Sequence, residues 1–179
     1  MIKKKYNNWL LFDEEKNAID YLEKSIFFLE SVKIDPYNYK WIIISLFGAL
    51  YGFAVCAIKG TDSRSVNDKK RKGEYLISFD EAIKRCESIE YMRMTINSKP
   101  LILEDKERES INILKNEIRN EFEHFSPKSW AVSIELLEEI IPDIYRVIRF
   151  LALETGNYVL LNQEKYEYVK ALLLRGKIA

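Results

Sequence analysis

WIIISLFGALYGFAVCAI, residues 41–58, runs for 18 residues without a charge. Its reading decides the fold. At that length it reaches the lower limit for crossing a bilayer. Gly48-x-x-x-Gly52, with Cys56 one turn further on, is a spacing of small residues that lets two helices approach closely in a membrane. The same spacing serves in the middle of a soluble bundle, and several features favour that reading. The length is minimal for a span, and Ser45 and Tyr51 interrupt it near the middle. Positive charge lies on both flanks (Lys40 before; Lys59, Lys69, Lys70, Arg71 and Lys72 after), so no orientation is preferred. A helix apolar on all sides suits the centre of a bundle. The expectation is a buried core helix with no membrane role, stopped by Gly60.

The neighbouring segments read as amphipathic helices that need such an apolar partner. From a start near Asp13, Ile19, Leu22, Ile26 and Leu29 recur at spacings of three and four, which marks one buried face. Residues 33–36 break the pattern, because the residue before Pro36 avoids the helical region. Residues 60–77 form a polar, basic loop in which Arg64, Lys69, Lys70, Arg71 and Lys72 outnumber Asp62 and Asp68. Clustered Lys and Arg give sequence-independent affinity for phosphate backbones, so these five are candidate RNA-binding residues; the plainer reading is a solvated loop. No aromatic residue interleaves them to stack a base.

Ser78-Phe79-Asp80-Glu81 is a capping box that opens a third helix, from Phe79 to Tyr91 or Met94. A fourth helix begins at Glu104 or Asp105, where an acidic first turn suits the helix dipole. Its stripe is Ile111, Leu114, Ile118, Phe122 and Phe125, and Ser126-Pro127 stops it. Ser133 caps a fifth helix with Ile134, Leu137, Ile141, Ile144, Ile148 and Leu151 on one face. Pro142 predicts a kink there, and Gly156 closes it. Residues 157–179 add a C-terminal helical extension, with a last helix from about Asn162 to Leu174.

The 179 residues suit a single domain, 1–179. Lys plus Arg and Asp plus Glu number 28 each, so no global charge draws the chain to nucleic acid or an anionic membrane. With 6 Gly and 4 Pro, turns are too scarce for a many-stranded sandwich, and long helices are favoured. Cys56 and Cys86 form no CxxC pair and read as reduced core thiols of a cytoplasmic protein. One histidine and two scattered cysteines make no structural metal quartet; no metal and no cofactor are expected. Residues 1–12, MIKKKYNNWLLF, open like a signal peptide, but the apolar run before Asp13 is too short for an h-region; they read as a tail.

The only histidine, His124, lies in Arg119-Asn120-Glu121-Phe122-Glu123-His124, at the end of the fourth helix. The plain reading is an Arg119–Glu123 surface ion pair, worth roughly 0.3–0.5 kcal/mol, and a histidine near a helix C-terminus. On an ideal helix residues five apart point roughly 140° from each other, so Arg119 and His124 converge only if the helix loosens at its end. Asn120, four before His124, shares the histidine's face and is placed to orient its ring. Glu117, Glu121 and Glu123 crowd the motif and repel RNA unless basic groups pair with them.

Arg119-Asn120-x-x-x-His124, near the end of a helix in an all-helical chain, resembles the signature of the HEPN superfamily. Phe125, Pro127 and Trp130 resemble the continuation found in one group of bacterial HEPN-like proteins. The expectation is an all-α, antiparallel up-and-down bundle of five to six helices, HEPN-like. The resemblance further implies a homodimer with motif helices facing each other and, in many members, metal-independent RNA cleavage. Such members act as toxins paired with an antitoxin protein or in phage defence. Arg119, Asn120 and His124 would then be catalytic. Other members have lost activity and bind a protein or nucleic-acid partner, which is the alternative.

Cleavage without metal makes the ribose 2′-OH the nucleophile. It needs a base, an acid and positive charge on the phosphate. Histidine suits the first two tasks near neutral pH. One chain holds one histidine, so a two-fold dimer would supply both. Arg119 would hold the phosphate.

Overall fold

The computed structural model describes residues 9–60, 63–68, 75–124, 127–157 and 162–176. They form seven α-helices: α1 (Glu14–Ser31), α2 (Asn38–Lys59), α3 (Phe79–Cys86), α4 (Asp105–Asn112), α5 (Asn120–Glu123), α6 (Ile134–Arg149) and α7 (Gln163–Gly176). A wide π-type stretch, Ile113–Arg119, joins α4 to α5 without a break, and α6 runs on into a second, Phe150–Glu154. No strand occurs among the described residues; Asn67 and Leu76 make an isolated antiparallel bridge.

The helix starts follow from local chemistry. Asp13 accepts the Lys16 N–H at 2.6 Å, and Ser78 and Ser133 do the same for Glu81 and Leu136 at 3.3 Å. Each satisfies a first-turn donor that the helix itself leaves unpaired. α2 stops at Gly60, whose φ of +45° disfavours other residues.

Cross-helix pairs fix the order of the bundle. Lys59 pairs with Glu14, and Asn38 reaches Ser31 at 3.0 Å, so α1 and α2 are antiparallel. Arg146 pairs with Glu107, and one turn further along α4 Ser110 donates to Asp143, so α4 and α6 are antiparallel. Tyr39 donates to Glu138 at the start of α6, while Asn157, beyond its end, donates to the Ala57 carbonyl; α2 and α6 therefore run in the same direction. Lys165 pairs with Glu15, and Arg175 with Glu30, which sets α7 alongside α1. The result is the expected up-and-down bundle. One end gathers the C-terminus of α2 and the start of α4. The other gathers the start of α2, the end of α5 and the start of α6.

α2 lies at the centre. By length and composition it suits a bilayer, yet 67% of its most apolar 18-residue window is buried inside the protein. Ile42, Ile43, Leu46, Leu50, Phe53 and Ala54 pack in the core. The two glycines seat α1: a Cβ on Gly48 would meet the Tyr21 ring, and one on Gly52 would meet Ala18. Cys56 and Cys86 are both buried and unbridged, and burial raises the Cys86 thiol far above its ordinary value.

Two expectations are corrected. α3 ends at Cys86, well before Tyr91. The Cys86 carbonyl accepts the Leu101 N–H at 2.8 Å, so the returning chain closes the helix and Met92 folds back into the core. The fourth helix is not regular either, because its middle widens through Ile113–Arg119.

A buried polar contact ties α4 to α6. Asp143, 1% exposed, accepts the Ser110 hydroxyl at 2.7 Å and pairs with Arg146. Asp143→Ala leaves that hydroxyl buried without its acceptor. The expected loss is about 2–4 kcal/mol of unfolding free energy, read from urea denaturation; a loss under about 0.5 kcal/mol would show the contact to be dispensable.

Candidate functional site

The motif sits where the wide stretch hands over to α5. Ile113–Arg119 ends on Arg119, and α5 supplies a single turn. Such wide turns inside α-helices are rare and recur at functional sites. The helix then stops: His124 is extended at φ −99° and ψ 122°, its N–H donating to the Asn120 carbonyl at 2.9 Å. The loosening expected at this end is real, and it sends the two side chains to different places.

Arg119 turns inward. Its guanidinium lies 4.6 Å from the centre of the Phe47 ring, pairs with Glu123, and donates to Asn120 Oδ1 at 3.2 Å. Its Nε is buried without a partner among the described residues. His124 is exposed and opens onto a groove of about 610 Å³. No hydrogen bond or ring contact joins Arg119 to His124 among the described residues. Asn120 is the link: its side chain accepts from Arg119 and its carbonyl accepts the His124 backbone N–H; among the described residues its side chain makes no hydrogen bond to the imidazole.

The groove is built from three segments: Tyr37, Tyr39, Lys40 and Trp41 at the start of α2; Glu121, Phe122 and His124; and Lys128, Trp130 and Ala131 before α6. Phe122 meets Trp130 edge to face at 4.8 Å, which fixes the indole. Trp41 stacks on Phe28 at 6.1 Å, with the Lys40 ammonium 4.9 Å from its ring. Burial, and after it the hydrogen bond to Glu138, raise the Tyr39 phenol to about 12. It stays protonated near neutral pH, leaving His124 as the groove's candidate base.

The crowding carboxylates find cations. Glu123 pairs with Arg119, and Glu121 with Lys128 at 3.2 Å; Glu117 faces solvent. The described part of the basic loop is elsewhere. The Ser65 hydroxyl donates to the Ile58 carbonyl at 2.8 Å, and buried Arg85 reaches the Ser65 carbonyl. Arg64 therefore sits by the C-terminal end of α2. Trp41 is seventeen residues from Ile58, or about 25 Å along the helix axis. Lys69, Lys70, Arg71 and Lys72 lie outside the described residues, as do Phe125 and Ser126.

Sequence reasoning missed Tyr37, Trp41 and Lys128 as site residues, and Phe47 as the seat of Arg119. Trp41 and Phe47 belong to the apolar run and carry the signature of core. No protein family, curated protein or solved structure was found to match the chain.

Proposed function

We propose that the chain is a metal-independent endoribonuclease of HEPN type, acting as a homodimer. The observation that carries this reading is the placement of the chain's sole imidazole: His124 is exposed at a helix end, on a groove that Lys40 and Lys128 also line. The Arg119-Asn120-x-x-x-His124 spacing and the up-and-down bundle around it also support it. In the reaction, one His124 takes the proton of the ribose 2′-OH as that oxygen attacks phosphorus. The P–O5′ bond breaks, and the imidazolium of the second protomer protonates the leaving oxygen. The products are a 2′,3′-cyclic phosphate and a 5′-OH. Arg119 would steady the charged phosphate once it leaves Glu123. A role as a toxin held by an antitoxin protein, or in phage defence, and a cytoplasmic location belong to the same proposal.

The test is incubation of purified wild type and His124→Ala with RNA in EDTA, with product ends analysed. Cyclic phosphate from wild type alone supports the reading; equal cleavage by folded His124→Ala sinks it. One observation favours a second reading, a non-catalytic bundle that binds a partner: the Arg119 guanidinium is already engaged by Phe47, Glu123 and Asn120. That reading expects no cleavage from either protein.

A further inference from the structure

The groove beside His124 offers more than an imidazole. Tyr37 is 86% exposed, Trp41 46% and Trp130 38%, so three aromatic rings stand partly open around one depression. Aromatic rings are usually spent in the core, and exposed ones gathered in a concave site point to a ligand. The charge around them has a sign. Lys40 and Lys128 line it, and Glu121, the one carboxylate among the described lining residues, is paired with Lys128. Planar rings with cations at their edge match a base and its flanking phosphates. Stacking is indifferent to sequence, because every base has a π-face, and a paired base cannot offer its face.

We propose that this groove is a base-stacking subsite that holds an unpaired nucleotide of RNA, with Trp130 and Tyr37 as platforms and the lysines on adjacent phosphates. It rests on the ribonuclease reading for its link to cleavage, and it names the form of substrate that reading leaves open. The subsite lies within one protomer, so a single chain binds before any dimer completes the chemistry. Trp130, pinned by Phe122, is the preorganised platform. Tyr37 is the more exposed one.

The test uses dye-labelled 2′-O-methyl oligonucleotides, which lack the attacking hydroxyl, as single strands and as duplexes, with binding read by anisotropy. Single strands are expected to bind at least tenfold more tightly than duplexes. Trp130→Leu should weaken the single strand about tenfold, by the loss of one stacked base, while Trp130→Phe keeps most of the affinity. Tyr37→Ala, at an exposed position that the fold does not need, should weaken binding several-fold and guards against a misfolded Trp130 variant. Equal affinity for duplex, or unchanged binding by folded Trp130→Leu and Tyr37→Ala, overturns the proposal. So does displacement of the RNA from the groove by oligoglutamate at equal concentration, which would assign the groove to an acidic peptide. Cleavage that persists with unchanged KM in Trp130→Leu removes the subsite and leaves the ribonuclease reading standing. Ring-dependent binding without any cleavage does the reverse.

Discussion

Gly52→Leu is expected to abolish cooperative folding. The glycine lies where α1 crosses α2. A Cβ there would come 2.7 Å from the Ala18 Cβ and 3.1 Å from the Ala18 Cα. The second contact matters more, because backbone cannot rotate away as a side chain does. Even Gly52→Ala sets two effects against each other. Alanine raises helix propensity by about 1 kcal/mol, while overpacking a tight core costs about 1–3 kcal/mol. The contact with backbone puts the clash toward the upper end of its range, and Gly52→Ala should lose up to about 2 kcal/mol by that difference. Leucine adds three further heavy atoms against the same backbone and must push the two helices apart. Their separation exposes Leu22, Ile26 and Phe53, each worth about 1.5–3 kcal/mol of burial. Urea denaturation of the alanine variant, and circular dichroism and expression of the leucine variant, read this out. Gly48→Ala is the comparison: its Cβ would meet the Tyr21 ring at 2.6–2.8 Å, and that half-buried ring can swing toward solvent, so the loss should be smaller. A stable Gly52→Leu would mean that α1 does not rest on this face of α2, and would reopen the bilayer reading of the apolar run.

The same glycines mark how far the sequence carries. Gly48-x-x-x-Gly52 announces a close approach but names no partner. Asp13, Ser78, Ser133 and Gly60 are legible because a cap is decided within four residues. The C-terminal end of α3 and the width of Ile113–Arg119 are not, because contacts from elsewhere bear on them: Leu101 donates to the carbonyl of Cys86, and Arg119 lies on Phe47. The site divides in the same way. His124 stands out as the only imidazole, whereas Trp41 and Trp130 lie eighty-nine positions apart in the chain and meet only in the folded groove.

The sharpest expected effect on activity lies at the Arg119–Glu123 pair, and it separates the catalytic reading from the structural one. If His124 is base and acid across a dimer, His124→Ala should lower cleavage by about 10²–10⁴-fold, the usual share of general acid–base catalysis. The fold should barely change, because the ring is exposed. Arg119→Ala should lower cleavage too, but that result alone is ambiguous, since it also strips a cation from the Phe47 ring. Glu123→Gln resolves the ambiguity. Glu123 is half-exposed, so its pair with Arg119 contributes at most about 1 kcal/mol to stability. The same pair occupies the guanidinium that a phosphate needs. Removing the carboxylate charge while keeping the side chain's shape should therefore leave stability within about 1 kcal/mol and raise cleavage, by freeing Arg119 and by lifting a negative charge from the approach to His124. A structural Arg119 predicts a different outcome: slightly lower stability and no gain in activity. Rates from wild type, His124→Ala, Arg119→Ala and Glu123→Gln on one RNA, with melting curves for each, decide between them. Higher activity in Glu123→Gln that vanishes when His124→Ala is added would identify the ion pair as a latch on the catalytic arginine.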